Sequence, residues 1–259
     1  MQERVTLGTM QDRFVGDIGD FGKYGLLRAL TGIYPEAEPR LSLGVVWWVP
    51  DPVTVANTKS THGAKVHYLT KPQQYRGCDP DLFEQLGEVT LRPHDRNLEQ
   101  IETSRILGDR DQMAVTYYGE SIPRGWPARR RWLEKALANS ATQCLVFLDP
   151  DTGLAPRGKA NTDSPSHVYP QEIRPFLERE QTVVVYQHHA YQPQQVEGQR
   201  RNWARALRSL SVSRVRILTY EDRDFLILPS MSDAETIDTR VNRLLEGPWG
   251  RYLQQHPLS

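Results

Sequence analysis

The sequence lacks the features that mark membrane-bound, secreted or strongly charged proteins. Lysine and arginine total 32 and aspartate and glutamate also total 32, so net charge gives no general attraction to nucleic acid. Apolar runs such as Leu43–Val49 and Thr182–Tyr186 are far shorter than the roughly 18 residues that a membrane-spanning helix needs. Met1–Thr9 has no apolar stretch like that of a signal peptide. We therefore expect a cytoplasmic protein without a membrane segment.

Cysteine is scarce as well. The chain has two cysteines among 259 residues, Cys78 and Cys144, and they lie far apart in the sequence. This usage argues against a disulfide framework and against a cysteine-based metal site. We expect both thiols to be reduced.

What the chain does contain is an alternation of short β-rich runs with longer segments of helical spacing, which is typical of an α/β domain. The predicted strands are Leu41–Val49, Cys144–Leu148, Thr182–Gln187, Arg214–Tyr220 and Phe225–Leu228, with weaker candidates at Val66–Leu69, Val89–Leu91 and Ala114–Tyr118. The predicted helices are Phe21–Tyr34, Pro80–Leu86, Asn97–Leu107, Pro127–Ala138, Pro170–Arg179, Val196–Leu210 and Ala234–Leu245.

The last two predicted strands are joined by Glu221–Asp224, which is too short for a parallel crossover and predicts an antiparallel hairpin. Residues 1–259 are long enough to bury one core. We predict a single Rossmann-like α/β domain with a mainly parallel sheet, helices on both faces and a C-terminal antiparallel β-hairpin. The polar segments Pro50–Gly63 and Ala155–His167 each follow a predicted strand, so they are candidates for the rim of an active site.

Two carboxylates follow the central predicted strand, in the run Val146-Phe147-Leu148-Asp149-Pro150-Asp151-Thr152-Gly153. An aspartate at a strand end can hydrogen-bond a substrate amine or ligate a hard cation. It can also cap the next turn. Two such residues in one place favour a site, and we treat Asp149 and Asp151 as catalytic candidates.

The next strand runs through Tyr186 into His188 and His189. Strands of consecutive βα units are often neighbours, so these histidines are expected near the two aspartates. Adjacent side chains on an extended chain point to opposite faces, which allows at most one histidine to enter a shared site. Either histidine could instead be a packed core residue.

A third group precedes the first helix, in the run Gly16-Asp17-Ile18-Gly19-Asp20-Phe21-Gly22-Lys23-Tyr24-Gly25. Asp20 is the expected N-cap. That role leaves Asp17, Lys23 and the glycines without a structural purpose. A cation near a helix N-terminus is mildly unfavourable, so Lys23 is expected to meet an anionic partner.

The spacing Gly16-Asp17-x-x-Asp20-x-x-Lys23-Tyr24 resembles the N-terminal segment of the RlmJ-type ribosomal-RNA adenine methyltransferases, in which the lysine lies by the active site. Asp149 and Pro150 match the first two residues of that family's Asp-Pro-Pro-Tyr motif, which holds the target amine. Asp151 and Thr152 replace the other two. The resemblance is to class I methyltransferases more generally, and it implies S-adenosylmethionine as the cofactor.

The chain departs from that pattern after the first strand. Class I methyltransferases have a glycine-rich turn there, which lets the backbone approach the cofactor, whereas this chain reads Trp47-Trp48-Val49-Pro50-Asp51-Pro52 and has no glycine until Gly63. The cofactor is therefore either held differently or lost. Asp51, Asp17 and Asp20 are the cofactor-binding candidates.

Three functions remain open at this point. The first is a methyltransferase-like enzyme that modifies a base or amine in a nucleic acid or nucleotide, with Asp149 holding the amine, Lys23 contacting a phosphate or the cofactor, and Tyr186 or His188 lining the pocket. The second is a phosphoesterase or nuclease that uses Mg²⁺ or Mn²⁺. Its metal ligands would be Asp17, Asp149, Asp151 and His188. The third is a non-catalytic nucleotide-binding module.

Two basic clusters, Arg124–Arg131 and Arg200–Arg208, contain tryptophans, as a nucleic-acid surface would require. At helical spacing, however, Trp132 and Trp203 each fall on an apolar stripe. We expect these tryptophans in the core and the arginines on a solvated face.

Overall fold

The computed structural model describes residues 14–49, 65–91, 96–108, 115–155, 164–190, 192–208, 210, 212 and 214–257. The helices are α1 Ile18–Thr31, α2 Pro72–Tyr75, α3 Pro80–Thr90, α4 Leu98–Thr103, α5 Trp126–Asn139, α6 Pro170–Leu177, α7 Val196–Arg208 and α8 Ala234–Glu246. The strands are β1 Leu43–Trp48, β2 Val115–Tyr118, β3 Leu145–Pro150, β4 Gly153–Leu154, β5 His167–Val168, β6 Thr182–His188, β7 Arg216–Tyr220, β8 Arg223–Leu228 and β9 Leu253–His256.

Seven strands form one sheet in the order β2-β1-β3-β6-β8-β7-β9. Strands β2, β1, β3 and β6 run parallel, whereas β8 is antiparallel to both β6 and β7. The predicted α/β fold and its C-terminal hairpin are confirmed. Strand β8 lies between β6 and β7, so the hairpin extends the parallel half of the sheet.

Helices cover both faces of the sheet. Successive side chains of the buried strands point to opposite faces, so a core lies on each face. Val45 and Trp47 belong to the core that α1, α3, α4 and α8 cover, and Val46 and Trp48 belong to the core under α5, α6 and α7. Trp132 and Trp203 are buried in the second core, as their helical spacing predicts. Within the described residues no helix has the length and apolar content needed to cross a bilayer.

Two of the weaker strand predictions are wrong. Val66–Leu69 falls mostly in a 3₁₀ turn at His67–Thr70, and Val89 belongs to α3, which continues to Thr90. The buried face of α3, formed by Leu82, Phe83, Leu86 and Thr90, keeps a helical period to the end of the helix. Short apolar runs cannot be assigned by periodicity alone. The two-stranded sheet of β4 and β5 and the edge strand β9 were not predicted from the sequence.

The N-cap of α1 is Asp17 rather than Asp20. Its Oδ1 accepts hydrogen bonds from the backbone N–H groups of Gly19 at 2.7 Å and Asp20 at 3.0 Å. Asp20 lies one turn inside the helix, where its Oδ2 accepts from the N–H of Gly16 at 2.9 Å. The predicted N-cap is therefore wrong by three residues. Both aspartates bind backbone N–H groups at the start of the helix, so residue type alone does not distinguish the cap from its neighbour.

The glycines of α1 do have a structural purpose, contrary to expectation. A Cβ on Gly22 would lie 2.3 Å from the ring of Tyr220, and a Cβ on Gly25 would lie 2.1 Å from the ring of Trp249. These glycines let α1 approach the C-terminal part of the chain, and every residue of the helix is buried. Lys23 is the residue of this segment whose presence the packing of α1 does not explain.

Candidate active site

The direction in which successive strands are added to the sheet reverses at β1. The chain places β2 on one side of β1 and β3 on the other, and all three run parallel. Ligands of open α/β sheets bind in the crevice at the carboxyl ends of the strands at such a reversal. Trp47 of β1 is the register partner of Asp149 of β3 at this edge.

Lys23 reaches this edge from α1. Its Nζ lies 3.0 Å from Oδ2 of Asp149 and 2.8 Å from Oδ1 of Asp20. The side chains of Lys23 and Asp149 are 10% and 15% exposed, so the ion pair is largely removed from water. Two motifs that lie far apart in the sequence therefore meet at one point.

Aromatic rings surround the ammonium group of Lys23. Its Nζ lies 5.3 Å from the ring centre of Tyr24, 5.6 Å from that of Trp47 and 5.8 Å from that of Tyr186. Phe147 follows at 6.0 Å. A cation is stabilised by aromatic faces at such distances. Two carboxylates and four rings thus enclose the ammonium group of Lys23.

The electrostatics of the pair follow from burial and charge. Burial raises the pKa of Asp149, Lys23 counteracts this effect, and Asp20 and Asp151 add to the rise. Burial alone would lower the pKa of Lys23, but Asp149 and Asp20 outweigh it and hold that pKa well above its usual value. Lys23 is therefore charged at neutral pH, and Asp149 is a stronger base than an exposed aspartate.

Asp149 retains an acceptor. Lys23 contacts Oδ2, and no described residue contributes a hydrogen bond to Oδ1. A carboxylate can accept several hydrogen bonds, so Oδ1 can accept one from a further donor at this edge of the sheet.

Asp17 and Asp20 are engaged inside the protein. Asp17 caps α1 and lies 3.9 Å from Nη1 of Arg223, while Asp20 binds Gly16 and Lys23. Burial and the neighbouring Asp20 raise the pKa of Asp17, and Arg223 opposes them. Lys23 does have anionic partners, but in the described structure these are the protein's own carboxylates.

His188 and Asp151 lie together on the exposed rim, where they interact electrostatically. Nδ1 of His188 lies 3.3 Å from the hydroxyl of Tyr186. Partial burial lowers the pKa of His188, and Asp222 opposes this effect. His189 turns to the other side, where its Nε2 lies 3.0 Å from Oδ1 of Asp224.

The four residues of the metal-dependent alternative are not gathered into one ligand set. Asp17 is held at the start of α1, whereas Asp151 and His188 lie on the rim. Among the residues that the structure describes, no three histidine, cysteine, aspartate or glutamate side chains are arranged to hold a metal ion.

Two of the three residues expected to bind S-adenosylmethionine are engaged inside the protein. Asp17 and Asp20 use their carboxylates for internal contacts. Asp51 lies outside the described residues. The structure thus provides a group that can bind an amine but no described group dedicated to the cofactor.

Several residues at this edge are not predicted from the sequence. Trp47 and Tyr24 enclose Lys23, Arg223 contacts the cap of α1, and Gln187 links β6 to the turn after β3. Gln187 carries a usable signal, because a polar residue at an inward position of a buried strand needs hydrogen-bond partners. The positions of the others depend on contacts between distant parts of the chain.

Comparison with known proteins gives one distant structural similarity. No family model and no curated protein matches the chain. One solved structure is similar, that of protein LPL1258 from Legionella pneumophila, which is described under the family model DUF519. The two share 11% sequence identity and a TM-score of 0.46 over 96% of this chain and 97% of the other.

Proposed function

We propose that the protein is a methyltransferase-like enzyme that modifies an amino group of a base in a nucleic acid or nucleotide. The observation that carries this proposal is the Lys23–Asp149 pair at the strand reversal, which leaves Oδ1 of Asp149 as an acceptor. The antiparallel hairpin of β7 and β8, inserted beside the parallel strand β6, is a further feature of the class I methyltransferases that the sequence resembles. A likeness of fold alone would not specify the chemistry.

In this proposal Asp149 binds the substrate amine. Its Oδ1 accepts a hydrogen bond from the amine N–H, and Lys23 fixes the carboxylate through Oδ2. The raised pKa of Asp149 suits it to accept the proton that an amine loses when it is alkylated. S-adenosylmethionine, which would supply the methyl group, is expected from the resemblance.

Exposed arginines provide a surface for phosphate groups. Arg124, Arg130 and Arg131 are exposed at or near α5, and Arg201 and Arg205 are exposed on α7, which covers the same face of the sheet. Arg129 and Arg200 belong to the core instead, where they pair with Glu172 and Asp224. Phosphate contacts of this kind position a nucleic acid without reading its sequence.

Calorimetric titration tests the proposal. We expect the full chain to bind S-adenosylmethionine and to show no heat of binding with Mg²⁺ or Mn²⁺. Binding of either ion without binding of S-adenosylmethionine would overturn the proposal in favour of a metal-dependent phosphoesterase. Binding of neither would favour a non-catalytic nucleotide-binding module, provided that nucleotides bind.

A further inference from the structure

The backbone ladder between β3 and β6 ends before the site. The last register pair is Leu148 with Val185, although β3 continues to Pro150 and β6 continues to His188. Asp149 therefore lies just beyond the point where backbone hydrogen bonds connect its strand to β6.

The side chain of Gln187 connects the two segments beyond that point. Its Oε1 accepts a hydrogen bond from the N–H of Leu154 at 2.7 Å. Its Nε2 donates to the carbonyl oxygens of Thr152 at 2.9 Å and His188 at 2.8 Å. The residue is 1% exposed, so water does not compete for these bonds.

The turn is shaped to receive this side chain. Gly153 has a φ of 120°, and a Cβ at that position would lie 2.3 Å from the carboxamide of Gln187. Glycine is thus required both by the backbone conformation and by the close approach of Gln187. The N–H of His188 adds a direct bond to the carbonyl of Thr152 at 3.0 Å.

We propose that Gln187 is the positioning residue that fixes the turn after β3 to the end of β6 and so holds Asp149 against Lys23. Only the role of Asp149 as the amine acceptor rests on the proposed function. Without the carboxamide, the turn loses the two hydrogen bonds that Leu154 and Thr152 make with Gln187, and the segment after Asp149 is held less firmly to β6.

The chain contains a matched control for this residue. Gln181, at the opposite end of β6, is also buried and donates from Nε2 to two carbonyl oxygens, those of Ser140 and Gln143, each at 2.7 Å. The substitutions Gln187→Glu and Gln181→Glu therefore remove the same kind of donor from the same kind of environment. Gln187→Met serves as a second variant without added charge.

The test follows the titration of Asp149 by ¹³C NMR of carboxyl-labelled aspartates in the full chain, with Asp149→Asn to assign the signal. The charged neighbours of this group are Lys23, Asp20 and Asp151, and Lys23 lowers its pKa. We expect Gln187→Glu and Gln187→Met to raise the pKa of Asp149 by about one unit, a tenfold change in proton affinity, because the interaction with Lys23 is weakened. Gln181→Glu should leave it unchanged.

An unchanged Asp149 titration in folded Gln187→Met would overturn the proposal, and so would an equal shift in Gln181→Glu. This readout requires no activity, so it stands apart from the test of methyl transfer. If methyl transfer is observed, Gln187→Met should lower kcat more than it raises KM, since the bound amine would be misaligned.

Discussion

The ammonium group of Lys23 lies 3.0 Å from the carboxylate of Asp149, although the two residues are 126 positions apart in the sequence. The ion pair joins the first helix to the central strand at the edge where α/β enzymes bind their ligands. It also places two opposite charges in a largely dry environment, and this has consequences for stability as well as function.

Replacement of Lys23 by Met should destabilise the protein by about 3–5 kcal/mol, because the carboxylates of Asp20 and Asp149 would remain buried without their cation. Addition of Asp149→Asn to this variant should restore part of that loss, since it removes one uncompensated charge. Urea denaturation of the two single variants and the double variant measures the coupling. Strictly additive effects would show that the pair is not energetically linked.

The free energy of unfolding should fall at acid pH as Asp224 becomes protonated. Burial alone would raise its pKa, but the nearby His189 and the hydrogen bonds from Arg200 and Thr219 bring the pKa to about 2, below the usual 3.8. A lowered carboxylate pKa contributes stability above pH 3.8 that is lost as the pH falls towards 2, here about 2 kcal/mol. The free energy of unfolding should therefore fall less steeply between about pH 4 and pH 2 in Asp224→Asn than in the control variant Asp238→Asn. Parallel curves would contradict this assignment.

The close approach of α1 can be tested with alanine. Gly22→Ala places a Cβ 2.3 Å from the ring of Tyr220 and should cost about 1–3 kcal/mol. Gly77→Ala is the control, because no atom lies within 4 Å of its added Cβ, and it should be neutral or slightly stabilising. Equal melting temperatures for the two variants would disprove the tight packing of α1 against β7.

Binding of phosphate groups should depend on exposed arginines. Arg130→Ala combined with Arg131→Ala should weaken binding to RNA or DNA about equally for different sequences. The slope of log affinity against log salt concentration should become shallower by about one for each phosphate that the variant no longer binds. Arg76→Ala, which removes an exposed arginine paired with Glu84 elsewhere on the molecule, is the control. Fluorescence anisotropy at several salt concentrations measures the slope, and an identical effect of Arg76→Ala would argue against a defined surface on α5.

The sequence predicts the sheet well because its central strands are continuous apolar runs with polar residues at their ends. It also predicts that Asp149 lies at a strand end. It does not reveal that Lys23 reaches Asp149, since a contact between distant segments depends on how α1 packs on the sheet. The fit of Gly22 against Tyr220 is hidden for the same reason, as is the bridge that Gln187 makes to Thr152 and Leu154.

The most direct test compares methyl transfer from labelled S-adenosylmethionine by Asp149→Asn and Asp151→Asn, with RNA, DNA and free nucleotides as acceptors. A hydrogen bond to a charged group contributes about 1.5–3 kcal/mol, so Asp149→Asn should lower the rate about ten- to a hundredfold. Asp151→Asn, on the exposed rim, should have little effect, and chelators should have none. Equal loss in both variants, with activity abolished by chelation and restored by Mg²⁺ or Mn²⁺, would contradict the proposed function.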